Sequence, residues 1–267
     1  MESLKQKAKE LLEAGEIKAV LGYARGTSDT RRPHVAMSAL EVDKLVADQA
    51  CTTNLANLLM KHEIKHLGKL AVVASRPSTL RSLLQLTAEH QVADGAILAL
   101  VPAEGGVKQL GTAQAFEEHL ALVPQKKTEK DQALLDRLKA MPRAERFAFW
   151  QKEFSRCMKC YACRNSCPMC YCERCTMDCN RPQWVPVPSH AVGNQEYHLV
   201  RAMHLAGRCV ECGECGRACP VGIPVHLLTF FAEDSVRAQF GQGGGASATI
   251  DNALSTFRPD DKETFIR

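Results

Sequence analysis

Twelve of the thirteen cysteines in this 267-residue chain lie between Cys157 and Cys219, and their spacing points to metal chemistry. Cys157, Cys160, Cys163 and Cys167 follow the pattern C-x2-C-x2-C-x3-C, closed by Pro168. Cys209, Cys212, Cys215 and Cys219 repeat it, closed by Pro220. Three thiolates at two-residue gaps on a looping backbone can hold three irons of one cubane. The fourth, just before the proline, points away and reaches the other cluster. The spacing therefore predicts one 4Fe-4S cluster on Cys157, Cys160, Cys163 and Cys219, and a second on Cys209, Cys212, Cys215 and Cys167. An isolated C-x2-C pair would suit zinc; two complete runs with their prolines favour iron and sulfide. Between the runs, Cys170, Cys172, Cys175 and Cys179 form C-x-C-x2-C-x3-C. A third 4Fe-4S cluster, a tetrahedral zinc and no metal all stay open there.

Two or three one-electron clusters in one small domain make a relay rather than a catalytic centre. The sequence offers no Walker loop, no G-x-G-x-x-G run and no nucleophile–base pair beside them. Lys159, Arg164 and Arg208 adjoin ligand positions and read as solvated surface charges, with stabilisation of reduced clusters as the second reading. His198, His204 and His226 read as packing or surface residues, because twelve thiolates already serve as ligands. Cys51, alone in the first half, reads as a small buried apolar residue.

The elements that must position these cysteines fall into two domains and a tail. Residues 1–150 read as an α/β domain. Leu4, Ala8, Leu11 and Leu12 share a helical face, and Gly15 is placed to end that helix. Residues 17–23 read as a strand, 25–33 as a polar basic loop, and 41–63 as mostly helical, interrupted near Cys51 with Thr53 as a cap. Residues 69–74 and 95–101 are apolar strands flanking a helix that Pro77 opens and Leu80, Leu83, Leu84 and Ala88 stripe. This is a right-handed βαβ crossover, and its continuous apolar strands imply a parallel sheet covered on both faces. Residues 125–132 read as a charged linker. Residues 130–154 read as helix interrupted by Pro142, with Phe147, Trp150 and Phe154 as packing residues. Residues 151–240 form the cysteine domain, with a proline-containing insertion at 180–200 and a helix at 225–240. Residues 241–267 read as a glycine-rich flexible linker and a docking tail carrying Ile250, Leu254, Phe257, Phe265 and Ile266.

Apolar residues make up 45% and charged residues 24%, an ordinary globular balance that excludes disorder as the main state. A net charge of +4 gives no electrostatic case for nucleic acid. No apolar run is long enough to span a membrane. The start, Met1 to Lys7, lacks the apolar core of a secretory signal, so a reducing cytoplasmic setting is expected, where cysteines stay available to metals.

The run from Cys157 to Cys175, CMKCYACRNSCPMCYCERC, resembles the beta subunits of deazaflavin-linked formate dehydrogenases and hydrogenases. The stretch from Arg201 to Cys215, RAMHLAGRCVECGEC, is similar to the shorter iron–sulfur subunits that accompany heterodisulfide reductase complexes. In the first half the marks are Val20–Gly26, Asn54–Ala56 and the strand–helix unit at 69–91. The resemblance implies an α/β domain followed by a dicluster ferredoxin-like (α+β) iron–sulfur domain. Larger members of the family bind FAD and oxidise or reduce the deazaflavin coenzyme. Where they carry a Lys-Gly-Cys-Asp-like turn, this chain has Ser75-Arg-Pro-Ser-Thr79, which implies a reduced α/β domain. Gly22, Tyr23 and Arg25 are the flavin-site candidates if FAD is held; a strand end and loop is the plainer reading of the same residues. The implied role is an electron-transfer subunit of an anaerobic oxidoreductase complex. It would relay single electrons between a flavin-, pterin- or hydrogenase-type subunit and a heterodisulfide-reductase-like partner. The alternative is a beta subunit that itself carries FAD and acts on a deazaflavin or nicotinamide coenzyme; a non-redox zinc module is a third reading.

Overall fold

The computed structural model describes residues 2–123, 126–179 and 181–248. Helix α1 (Glu2–Glu13) buries Leu4, Ala8 and Leu11. Gly15 follows it at φ +70, a conformation that costs a residue without Cβ little. Strand β1 (Ala19–Arg25) is buried except at its last residue. The expected loop at 25–33 is shorter than that. The chain turns at 27–29 and returns as β2 (Arg31–Ala36), antiparallel to β1. An edge strand needs little burial, and β2 buries only Ala36 fully, so its sequence carries no alternating apolar signal.

Residues 41–63 also depart from expectation. They break into α2 (Ala39–Val42), the two-residue strand β3 (Leu45–Val46), a 3-10 turn at Leu55–Leu58 and α3 (His62–Lys65). The capping residue is Asn54 rather than Thr53: its side-chain oxygen accepts from the Ala56 N–H, while its Nδ2 donates to Ser82 Oγ at 2.9 Å. Tyr23 Oη donates to the Thr53 carbonyl at 2.6 Å. These anchors let Val42, Leu45, Leu55 and Leu59 reach the sheet core from a winding path, so apolar spacing there does not report a helix.

The βαβ unit is as expected. Strand β4 (Leu70–Val73), helix α4 (Pro77–Ala88) with Pro77 in its first turn, and strand β5 (Ile97–Ala103) follow in order. Strand β6 (Gly106–Leu110) folds back on β5, and α5 (Ala113–Leu122) packs on α4. The sheet order is β2-β1-β4-β5-β6, with β3 also paired to β1. Its centre, β1, β4 and β5, is parallel; its edges are antiparallel. Every residue of β4 is buried, as a central parallel strand requires.

The second half is built mainly from helices and loops. Pro142 separates α6 (Glu129–Ala140) from α7 (Arg143–Ser155). Then come α8 (Ala162–Asn165), α9 (Ala191–Leu205), α10 (Glu214–Arg217) and α11 (Val225–Phe240). Leu135 and Leu138 of α6 pack on Leu227 and Phe230 of α11. Of the aromatic stripe, Trp150 and Phe154 stack at 5.3 Å, whereas Phe147 is exposed.

The halves share a core: Met169 and Leu205 belong to the same apolar cluster as the sheet. The glycine-rich stretch read as a linker is held in its described part, 241–248. Arg81 Nη2 donates to the Gly244 carbonyl at 2.5 Å, and the Gly245 N–H donates to Gln85 Oε1 at 2.7 Å. A Cβ on Gly244 would stand 2.5 Å from the Arg208 carbonyl carbon, so glycine here permits close backbone passage rather than freedom. Residues 249–267, with the apolar tail positions, lie outside the described residues. Among the described residues no helix is long and apolar enough to cross a membrane.

Candidate metal centre

The two cysteine runs adopt the same backbone course. In the first, Lys159 and Tyr161 take left-handed conformations, at φ +54 and +58. In the second, Glu211 and Gly213 occupy the matching positions at φ +54 and +74. Each run then makes one helical turn, α8 or α10, before its last cysteine. Three of these four residues carry side chains, for which the conformation costs energy. Alternating left-handed residues of this kind turn successive N–H groups inward and build concavities for anions, iron–sulfur sites among them. The Lys159 N–H points at Cys157 Sγ at 3.4 Å, and the Ile223 N–H points at Cys219 Sγ at 3.3 Å.

The neighbours of each thiol cross between the runs. Burial pushes the Cys157 thiol up, and Cys163, Cys160 and Cys219 add to the shift as neighbouring anions. Burial also pushes Cys212 up to about 12, with Cys167 and Cys215 beside it. Cys215 is raised by burial to about 11 and faces both Cys167 and Cys163. Cys209 is raised by burial with Cys212 and Cys215 next to it. Cys219 is thus among the groups acting on Cys157, and Cys167 among those acting on Cys212 and Cys215, while Cys163 of the first run also acts on Cys215. Buried thiols of this kind become thiolates only against positive charge. Clustered irons would supply that charge, and buried thiols are a donor set that such a group accepts.

The C-x-C run has neighbours of its own. Cys170 donates to Cys167, holding Cys167 below the ordinary thiol range while its own thiol is pushed up. Cys172 is exposed. Cys175 lies beside Arg164, and Cys179 Sγ approaches the Cys175 carbonyl at 3.7 Å. Among the described residues, those of the two longer runs included, no group of three His, Cys, Asp or Glu side chains is placed to hold a single metal ion. Cys167, Cys170, Cys172 and Cys175 instead line a cleft of about 1580 Å³ between the two halves.

Helix α9, which begins inside the stretch read as an insertion, organises this centre. Asn194, Tyr197, Arg201 and Leu205 repeat at helical spacing and are buried. Asn194 Nδ2 donates to the carbonyls of Phe154 and Cys157, at 3.0 and 2.7 Å. Tyr197 Oη lies 3.3 Å from Cys163 Sγ. Arg201 Nη2 donates to the Cys163 carbonyl at 3.0 Å. The spacing was a signal in the sequence, masked by the prolines just before it. His198 stacks on Phe154 at 4.4 Å, and burial pushes its imidazole down to about 3, so it packs as a neutral ring.

Two charges read as surface groups are not. Lys159 is only 6% exposed and donates to the Pro186 carbonyl. Arg208 forks onto Glu89 at 2.5 and 2.6 Å, and Tyr171 donates to the same carboxylate. Arg164 pairs with Asp178 on the surface, at 2.9 and 3.0 Å. Further links join the second run to the α/β half. Glu214 accepts from the Asn54 N–H at 3.2 Å, and Glu211 pairs with Arg81 at 3.4 Å. The flavin-site candidates do not share a surface. Gly22 faces inward, where an added Cβ would meet Leu45 at 2.5 Å; Tyr23 is buried; Arg25 is exposed and pairs with Asp29 at 3.6 Å.

No protein-family model matches the chain. It is related in sequence to F420-dependent formate dehydrogenase subunit beta of Methanocaldococcus jannaschii, 30% identical over 106 residues, 39% of this chain and 26% of that protein. F420-dependent formate dehydrogenase 1 subunit beta of Methanococcus maripaludis is 31% identical over 105 residues, with the same coverage. The resemblance read from the cysteine runs is thus matched by similarity to these beta subunits. The chain spans about a quarter of the length of these curated relatives.

Proposed function

We propose that this chain is an iron–sulfur electron-transfer subunit of a multi-subunit oxidoreductase. It relays single electrons between a flavin- or pterin-containing subunit and a heterodisulfide-reductase-like partner. The observation behind this reading is the shared left-handed course of the two cysteine runs, with Cys219 among the groups acting on Cys157 and Cys167 among those acting on Cys212 and Cys215. Two interleaved four-cysteine sets call for such a repeat with the last cysteine of each run beside the other. When bound, 4Fe-4S clusters supply one-electron chemistry with no proton or group transferred.

The chain's own residues hold and shield. Inward N–H groups at the first and last cysteines of the first set favour thiolate sulfur over thiol. Phe154, Tyr197, Val185 and Ile223 form the apolar wall around Cys163 and Cys215 and keep water from them. Cys160 and Cys172 reach solvent, which gives the centre edges that a partner can approach. The similarity to formate dehydrogenase beta subunits supports the oxidoreductase part of the reading.

The test is iron, zinc and acid-labile sulfide per chain on anaerobically purified protein. About 8 iron with equal sulfide is expected from the two crossed sets, and about 12 if the C-x-C run holds a third cluster. Zinc without sulfide overturns the proposal. A yellow chromophore released by acid and identified as FAD would favour the alternative, a flavin-bearing beta subunit.

A further inference from the structure

Helix α9 grips the first cysteine loop on three successive turns. Asn194 Nδ2 donates to the Cys157 carbonyl at 2.7 Å, and Arg201 Nη2 donates to the Cys163 carbonyl at 3.0 Å. Between them Tyr197 brings its hydroxyl to 3.3 Å from Cys163 Sγ. The residue is 1% exposed, and its ring meets Tyr161 edge-on at 5.3 Å. It shares an apolar cluster with Phe154, Val185 and Ile223. A buried phenol needs a hydrogen-bond partner, and among the described residues that partner is the sulfur of Cys163.

The direction of this bond follows from the chemistry of the sulfur. As a thiol, Cys163 could give or take the proton. As a thiolate ligand it has none to give, so the phenol donates. The geometry is fixed from both sides, because the carbonyls of Cys157 and Cys163 are tied to the same helix. Phenylalanine would fill a packing role alone: its ring would keep its place against Tyr161 and the apolar wall. The hydroxyl is what phenylalanine lacks, and it is bonded to a ligand position of the first set.

We propose that Tyr197 is a positioning residue of the relay, acting through Cys163: its hydroxyl donates to the Cys163 sulfur and raises the reduction potential of the cluster on Cys157, Cys160, Cys163 and Cys219. The inference relies on the electron-transfer reading above. The step concerned adds one electron, from a low-potential one-electron donor, and makes or breaks no covalent bond; the phenol keeps its proton. Reduction adds one negative charge, shared by the irons and their sulfur ligands. A hydrogen bond to such a sulfur favours the more negative state.

The experiment is an anaerobic dithionite titration of the full chain, followed by electron paramagnetic resonance, with Cys160→Ser and Cys212→Ser used to assign signals to sets. Tyr197→Phe keeps the ring and removes the hydroxyl. It is expected to shift the first-set reduction equilibrium about threefold or more toward the oxidised form, about 28 mV at about 59 mV per tenfold for one electron. The second set is expected to move by less than half as much. A smaller first-set shift, a shift the other way, or a second-set shift of half that size or more overturns the proposal. A monofluorinated tyrosine at position 197 donates a stronger bond and is expected to raise the first-set potential. If Tyr197→Phe loses the first-set iron, the fluorinated variant decides: a rise supports the assignment and no rise refutes it. Wild-type protein free of iron and sulfide would overturn the relay reading itself, whereas a loaded protein whose first-set potential ignores the hydroxyl overturns the role of Tyr197 alone.

Discussion

The contact between Glu89 and Arg208 offers a sharp test of how the α/β half serves the cysteine half. Glu89 ends α4, and Arg208 immediately precedes Cys209. The carboxylate accepts both arms of the guanidinium at 2.5 and 2.6 Å, a bond from Tyr171 and one from Gln85 at 2.7 Å. The side chains are 11% and 20% exposed, so solvent screens the pair weakly. Glu89→Gln keeps the shape, removes the charge and turns one acceptor into a donor facing other donors. Breaking a buried pair from one side costs about 3–5 kcal/mol, and the residual exposure argues for the lower end, about 3 kcal/mol. For a chain of this size that lowers the melting temperature by roughly 6–12 °C. The assay is anaerobic thermal unfolding followed by circular dichroism. The exposed Lys7–Glu10 pair serves as control, where Glu10→Gln should shift melting by no more than about 1 °C. Burial alone would raise the Glu89 carboxyl, but Arg208 and Tyr171 pull it below its ordinary value. The stabilisation is therefore complete above the ordinary glutamate range and is lost only as pH falls through the lowered value. The wild-type advantage should be flat from pH 8 to about pH 5. A melting shift under about 2 °C at pH 7 would refute the view that this pair fastens the halves together.

Other perturbations probe separate features. Cys167→Ser should remove the second-set signal and spare the first; loss of the first-set signal alone would disprove the crossed assignment. Gly216→Ala drives a methyl into the His226 ring, whose Nε2 is tied to Asp131 at 2.8 Å. Overpacking should cost about 1–3 kcal/mol, and adding His226→Ala should recover part of it; an unchanged melt contradicts the packing. His198 is neutral when folded and protonates when unfolded, so stability falls as pH drops below about 6.5. Between pH 6.5 and 5.5 the wild type should lose about 1 kcal/mol more than His198→Leu, measured by urea unfolding, and parallel pH profiles would refute this.

What the sequence revealed followed from whether a residue's job was local. The repeat of the two cysteine runs was legible because spacing is a property of the chain, and both runs take the same left-handed turns. The α4 stripe and the apolar strands β4 and β5 were legible because burial on a regular element leaves a period. Strand β2 was not, because an edge buries almost nothing. The segment holding Tyr23's partner Thr53 and the Asn54 cap misled, because its apolar residues reach the core from an irregular path. Arg201, Arg208 and Lys159 could not be placed from sequence, because a cation's burial depends on partners contributed by distant parts of the chain.

The fastening of the second cysteine loop has a bearing on modularity. Residues 151–240 look like a portable cassette when read as text. In three dimensions Arg208, Glu211 and Glu214 all lean on groups from the first half: Glu89, Arg81 and the Asn54 backbone. Gly244 and Gly245 then bring the chain back against Arg81 and Gln85. A cassette cut at those borders and grafted onto another scaffold would lose the partners that Arg208, Glu211 and Glu214 take from the first half and keep Tyr171, Arg237 and Arg217. The α/β half is thus part of the mould in which the cysteine loop is cast, whatever else it retains or has lost, and the two would have to be inherited together.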